Sequence, residues 1–210
     1  AVLGKAEHLK NPSMVNIMKF DNYYVPNNMA ICMSGDLDME ATVKMIDEIW
    51  GDMKPNPNIP EFKFEKEAER TKIDKFDVLG PEREFISIAY RTPDVKTKEA
   101  KYLDLIGQIL SNGKAGLMDL DLVKKQKVMS AYAYAWAMND YGLFQMGGTP
   151  RQGQTLEEVE KLLLDELNKI KKGEFEDWLL EAIINEMKLD RIRSIEGNSV
   201  AYAFVDNFIS

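Results

Sequence analysis

Two runs of β-forming residues, separated by only three residues, constrain the fold of this chain more than any other feature. Residues 128–138 are rich in Ala and Tyr, and residues 142–148 follow them across Asn139, Asp140 and Tyr141. Because a connection this short cannot carry a crossover, the two runs are predicted to be adjacent antiparallel strands of a β-hairpin. An antiparallel sheet element is therefore expected in any fold that this chain adopts.

The other elements surround this hairpin in an order that does not alternate strand with helix. Apolar residues recur at helical spacing, which predicts helices over residues 13–23, 39–50, 98–110, 117–125, 155–172 and 176–192, with a last helix from residue 197. Further strands are predicted over residues 29–34, 61–77 and 85–90. This order favours an α+β fold in which an antiparallel or mixed sheet packs against helices.

Charge and hydropathy exclude two classes of partner. The formal net charge of -8 argues against nucleic acid, because binding phosphates requires concentrated Lys and Arg. No run of about 20 apolar residues exists to span a bilayer, and the N-terminus lacks the pattern of a secretory signal. We expect a soluble protein of the bacterial periplasm or cytoplasm. The first residue is Ala1 and the pattern stops abruptly at Ser210, so we also expect excision from a longer protein.

Metal and nucleophile chemistry have few candidate residues. The only histidine is His8 and the only cysteine is Cys32, whereas a zinc hydrolase needs at least three protein ligands, usually including His. This chain therefore cannot form a histidine-based catalytic metal site by itself, and no catalytic residue is predicted in it. Asp119 and Asp121 lack the further ligands of a calcium loop and are expected on a solvated helix face.

Four aromatic residues cluster in and beside the predicted hairpin: Tyr132, Tyr134, Trp136 and Tyr141. Aromatic residues at strand spacing are typical of core and cross-strand packing. The same cluster could instead bind an extended peptide along a sheet edge. The sequence leaves both interpretations open.

Three stretches, taken in order, resemble the insulinase/pitrilysin family of zinc metallopeptidases. The first runs from Tyr23 through Asn27 and Asn28 to residues 34–38. The second runs from residues 110–113 through Leu117 and Leu122 to Tyr132. The third is the helical tail with Gly173, Glu181 and residues 195–197. Their order and spacing carry the resemblance, which covers nearly the whole chain.

The resemblance implies which kind of domain this is. Catalytic domains of the family carry an H-x-x-E-H helix that binds zinc and supplies the base. In this chain Asp104, Gly107 and Gln108 take the places of the motif residues, which is similar to the family's inactive partner domain. Active members also carry an Arg and a Tyr that contact substrate; Tyr132 matches the Tyr, and Lys125 is the cation at a suitable spacing for the Arg.

Two functions follow from the resemblance as expectations. In the first, residues 25–210 form an inactive peptidase-like domain after an entry segment at residues 1–24. This domain would bind peptide opposite a zinc-containing catalytic domain in the same or a sister chain. In the second, the chain is a structural or assembly subunit, like the core subunits of respiratory complexes that share this fold without proteolysis. Fold alone does not separate the two.

Overall fold

The computed structural model describes residues 5–61, 63, 65, 67–197 and 200–209. Its α-helices in chain order are α1 (Ala6–Lys10), α2 (Met14–Asp21), α3 (Met39–Trp50), α4 (Lys98–Leu110), α5 (Leu156–Lys172), α6 (Asp177–Glu196) and α7 (Val200–Ile209), and its strands are β1 (Ile86–Thr92), β2 (Ser130–Trp136) and β3 (Gly142–Thr149). A 3-10 turn (Pro26–Asn28) and a π-helical turn (Asp119–Val123) complete the helical elements of the described residues. The chain packs as two compact units. The first holds the described residues up to Lys75 and those from Val200, and the second is Phe76–Gly197.

The second unit is built on a three-stranded sheet with strand order β1-β3-β2, in which both pairings are antiparallel. The predicted hairpin is confirmed as β2 and β3. In the register, Ile88 of β1 lies opposite Met146 of β3, which in turn lies opposite Ala133 of β2. Met146 and Ala133 are buried and Ile88 packs against the same cluster, so this row faces the core. The expected α+β class is confirmed.

Helices α4 and α5 bury their apolar residues against one face of this sheet, and α6 packs against α4 and adds Leu179 and Ile183 to the same core. The largest fully buried side chains belong to one cluster and come from β3, α4, α5 and the segment between α4 and β2: Leu110, Met118, Leu122, Met146, Val159 and Leu163. Helix α5 approaches β3 closely because Gly148 has no side chain; a Cβ there would lie 3.0 Å from Cγ1 of Val159. Removing these apolar side chains from water is the main stabilising term of the unit.

The first unit contains α1, α2, α3 and α7. Within it, Asn27 and Asn56 tie the end of the α2 region to the proline-containing connector: Nδ2 of Asn27 donates to the carbonyl of Asn56 at 2.8 Å, and Oδ1 of Asn27 accepts from the backbone N–H of Asn56 at 3.0 Å. The strands predicted over residues 29–34 and 61–77 are not formed by the described residues of those ranges. No helix in the described part of the chain is both long and apolar enough to cross a membrane.

Candidate functional site

The sheet of the second unit has one face without core residues, which we call the outer face. Successive strand residues point to opposite sides, and in β2 the alanines face the core while Tyr132, Tyr134 and Trp136 lie on the outer face. Trp136 is 59% exposed and Tyr134 is 44% exposed. The aromatic cluster is therefore a surface of the second unit and not part of its buried core.

A hydrogen-bond network on the outer face joins all three strands through Gln145 of β3. Its Nε2 donates to Oγ of Ser87 at 2.9 Å and to the hydroxyl oxygen of Tyr132 at 3.3 Å. Its Oε1 accepts from the hydroxyl of Tyr134 at 2.9 Å. The two tyrosine rings stack with their centroids 5.8 Å apart. The network therefore fixes both the strands and the orientation of the two phenol groups.

Gly147 lies under the phenol group of Tyr132. The two residues are directly opposite in the register of β3 and β2. A Cβ added at Gly147 would lie 2.5 Å from the Tyr132 hydroxyl oxygen and 2.5 Å from the carbonyl oxygen of Ile86. Both distances are too short for a real contact, so only glycine leaves room for the tyrosine ring to lie across β3. Covering a sheet glycine with an aromatic ring is a known stabilising arrangement.

The opposite end of the outer face carries a cation. Arg91 of β1, Leu143 of β3 and Trp136 of β2 form one row of the register. The guanidinium carbon of Arg91 lies 4.3 Å from the centroid of the Tyr141 ring, which is cation–π geometry. Tyr141, in the turn between β2 and β3, thus holds Arg91 at the edge of the aromatic cluster.

Lys125, the second predicted substrate-contacting residue, belongs to a different group of side chains. Its Nζ donates to Oδ1 of Asp121 at 2.7 Å, and the other carboxylate oxygen of Asp121 lies 2.6 Å from Nζ of Lys169. Tyr132 bonds to Gln145, and no hydrogen bond links it to Lys125 among the described residues. The side chain of Lys125 is 61% exposed.

Lys169 also pairs with Glu166, which is only 3% exposed. Nζ of Lys169 lies 3.0 Å from Oε1 and 2.8 Å from Oε2 of Glu166, and only the first contact has hydrogen-bond geometry. Burial raises the pKa of Glu166, against the lowering effect of Lys169. Hydrogen bonds from Lys125 and Lys169 lower the pKa of Asp121. For Lys169, burial alone would lower the pKa, but its bonds to Asp121 and Glu166 raise it overall.

Asp119 does not lie on a solvated helix face, so that expectation was wrong. It is 8% exposed, and its Oδ2 accepts backbone N–H groups from Asn112 at 2.9 Å, Gly113 at 2.8 Å and Gly116 at 3.2 Å. A carboxylate that accepts several backbone donors satisfies groups that would otherwise be buried without partners. Asp119 therefore holds the loop between α4 and the following π-helical turn (Asp119–Val123).

The positions on α4 that are predicted to replace the zinc motif do not form a ligand set. Asp104 is exposed, Gln108 is half-buried, and Gly107 is buried against β2, where a Cβ would lie 3.3 Å from Cα of Tyr134. Gly107 has no donor atom, so these three residues do not fit a zinc ion. In the described residues, no group of three or more His, Cys, Asp and Glu side chains could hold a metal ion.

The sequence interpretation missed Gln145, Gly147 and Ser87 as parts of the candidate site. Gln145 is an ordinary polar residue of the predicted strand over residues 142–148, and Gly147 of the same strand has no side chain. The signal that identifies them is the strand register, because they lie opposite Tyr134 and Tyr132 only once β2 and β3 are paired. The sequence of β3 alone does not show which residue of β2 lies opposite each of its own residues.

The fold and this site together define an α+β domain of peptidase type in which α4 contains neither His nor Cys. The chain belongs to the family described as the peptidase M16 inactive domain, which matches residues 20–187. The resemblance to insulinase-type metallopeptidases, and to their inactive domain in particular, is thereby confirmed.

A curated relative and a solved structure, both from Helicobacter pylori, are similar to this chain. One is named zinc protease PqqE; it is 27% identical over 219 residues, which cover 99% of this chain and 48% of the relative. The other is the crystal structure of a protease, with a TM-score of 0.81 and 22% identity, covering 98% of this chain and 51% of that one. The chain thus spans about half the length of the curated relative it matches.

Proposed function

We propose that this chain is the non-catalytic domain of a zinc metallopeptidase and that it binds peptide substrate opposite a catalytic domain. The catalytic domain, in the same or a sister chain, would carry the H-x-x-E-H helix and supply zinc and the base. Family membership supports this proposal, as does a relative named as a zinc protease that is about twice as long as this chain. Helix α4 contributes no zinc ligand to such an assembly.

One observation carries the peptide-binding part of the proposal. The hydroxyl oxygen of Tyr132 accepts from Gln145, and no described residue accepts the Tyr132 hydroxyl proton. A peptide main chain offers carbonyl acceptors at every residue. Lys125 is the second proposed contact, since Asp121 uses only one of the three donors on its ammonium group.

The test is Tyr132→Phe in the assembled peptidase, meaning this chain together with its catalytic domain. The substitution removes one hydroxyl and leaves the ring in place. We expect KM for a quenched fluorogenic casein peptide to rise about 3- to 10-fold, the effect of one lost neutral hydrogen bond. Because the bond is made to bound substrate as well as to the transition state, kcat should change little.

Tyr102→Phe is the matched control, because Tyr102 is an exposed tyrosine on α4, away from the outer face. It should leave both KM and kcat unchanged. An unchanged KM for Tyr132→Phe would refute the role of Tyr132. If the assembly showed no zinc-dependent peptide cleavage but associated stably with an electron-transfer complex, the structural-subunit function would replace the peptidase function.

A further inference from the structure

We propose that Gln145 is a positioning residue that fixes Tyr132 as a hydrogen-bond donor to a main-chain carbonyl of an extended peptide. This proposal rests on the proposed function, because it requires that Tyr132 contacts peptide. Gln145 belongs neither to the zinc-motif helix nor to the Arg–Tyr pair that the family resemblance implies, so this role is additional to theirs. The ligand group is an uncharged hydrogen-bond acceptor, namely a peptide carbonyl.

The carboxamide of Gln145 is held in one orientation by Tyr134. The Tyr134 hydroxyl donates to Oε1 at 2.9 Å, which places Nε2 on the side of Tyr132 and Ser87. Both protons of Nε2 are then used, one by each hydroxyl oxygen. Rotation of the carboxamide by 180° would leave one of the two Nε2 protons without its hydroxyl acceptor, which favours the observed orientation.

This orientation determines the direction of the Tyr132 hydroxyl. Its oxygen accepts from Gln145, so its proton cannot point at Nε2 and must be directed elsewhere. Gly147 provides the space beneath the hydroxyl, since a Cβ there would lie 2.5 Å from the hydroxyl oxygen. Tyr132 is therefore prepared as a donor before any ligand arrives, which reduces the entropy cost of binding.

The surroundings favour a carbonyl over a charged acceptor. None of the residues of β1, β2 and β3 is Asp or Glu, so no carboxylate on these strands competes for the Tyr132 proton. The rings of Tyr134 and Trp136 continue along the same strand and offer apolar surface for the side chains of an extended segment. Recognition of a main-chain carbonyl depends little on peptide sequence.

The decisive variant is Gln145→Glu in the assembled peptidase, measured with the quenched fluorogenic casein peptide. A carboxylate has the shape of the carboxamide but only accepts hydrogen bonds. It would therefore turn the Tyr132 proton inward and away from the substrate. We expect KM to rise about 3- to 10-fold with little change in kcat, as for Tyr132→Phe.

A double-mutant cycle separates this effect from the added negative charge. If Gln145 acts through Tyr132, Gln145→Glu should have no further effect on KM in a protein that already carries Tyr132→Phe. If the charge alone weakens binding, KM should rise by the same factor in both backgrounds, which would overturn the inference and leave the proposed function intact. If Tyr132→Phe itself leaves KM unchanged, both the inference and the role of Tyr132 fail.

Tyr134→Phe gives a second test that adds no charge and changes an exposed side chain. It removes the donor that holds Oε1, so the carboxamide can rotate and offer Oε1 to the Tyr132 hydroxyl. We expect a smaller rise in KM, about 2- to 3-fold, that disappears in the Tyr132→Phe background. An additive effect in that background would contradict the positioning role, because Tyr134 would then contact substrate independently.

Discussion

At the scale of single residues, Asp121 and Glu166 share Lys169 and yet have pKa values shifted in opposite directions. Asp121 is on the accessible side of the cluster and accepts from two lysines, which lowers its pKa. Glu166 is almost fully buried, and the cost of removing its charge from water exceeds the attraction to one lysine, so its pKa is raised. Within this ion-pair cluster, the charged form of Asp121 stabilises the folded state, whereas the charged form of Glu166 is unfavourable there.

Asp121→Asn should destabilise the protein at neutral pH but not in acid. The folded-state pKa lies below the ordinary value of 3.8. Its stabilisation is therefore complete above about pH 4 and is lost as the pH falls through the folded-state pKa. We expect the free energy of unfolding to drop by about 0.5–1 kcal/mol at neutral pH, because the partner lysines are partly exposed. Urea denaturation at several pH values measures this.

Glu166→Gln is the matched control, because the pKa of Glu166 is shifted in the opposite direction. A raised pKa means that the contribution of Glu166 is present below its ordinary value of 4.5 and is lost as the pH rises through the folded-state pKa. The amide should therefore not destabilise the protein at neutral pH. Equal losses for Asp121→Asn and Glu166→Gln at neutral pH would contradict this assignment.

At the scale of elements, local patterns predicted those elements whose determinants are close in sequence. Helix α5 begins with a capping box between Thr155 and Glu158 and ends at Gly173, whose φ is 70°. Both signals are visible in the sequence, and both act within one turn of the helix. Helices α3 and α4 were likewise predicted at their observed bounds.

Elements that depend on distant partners were not predictable in this way. A strand exists only if another strand pairs with it, and an apolar run such as residues 29–34 does not specify a partner. The π-helical turn at Asp119–Val123 was predicted as an ordinary helix. Asp119 was predicted on a solvated face because its backbone donors lie in the preceding loop, and helical periodicity does not show where that loop folds.

Gly107 allows α4 to approach β2 closely, and a longer side chain at this position should push the two elements apart. A Cβ there would lie 3.3 Å from Cα of Tyr134, so alanine requires a shift of a few tenths of an ångström. For Gly107→Ala this cost is offset by the gain in helix propensity of up to about 1 kcal/mol. The larger side chain of Gly107→Leu requires a larger shift of α4 away from β2, and we expect the free energy of unfolding to fall by about 1–3 kcal/mol.

The exposed position three residues earlier supplies the comparison for Gly107. Asp104→Leu puts the same side chain on the same helix without packing against β2, and it should change stability by less than about 0.5 kcal/mol. Chemical denaturation of the three variants measures both effects. If Gly107→Leu were as stable as Asp104→Leu, the close approach of α4 to β2 would not be required for stability.

At the scale of the whole molecule, the proposed function is a division of labour between this chain and a catalytic domain. This chain matches about half of a protein named as a zinc protease. In this chain Gly107 of α4 lies so close to β2 that a Cβ there would be only 3.3 Å from Cα of Tyr134. We propose that Gly107 stands at the place of the family's catalytic base, where a glycine supplies no group that could accept or donate a proton.

Zinc should be bound by the catalytic domain and not by this chain. A zinc site needs at least three His, Cys or carboxylate ligands, and this chain has one His and one Cys in total. We expect the assembled peptidase to contain zinc in proportion to its catalytic domain and to lose peptide cleavage when a chelator removes it. The 210-residue chain alone, after exposure to Zn²⁺ and dialysis, should retain no stoichiometric zinc by elemental analysis. Stoichiometric zinc on the isolated chain would show that its carboxylates form a site after all, and the non-catalytic assignment would then be wrong.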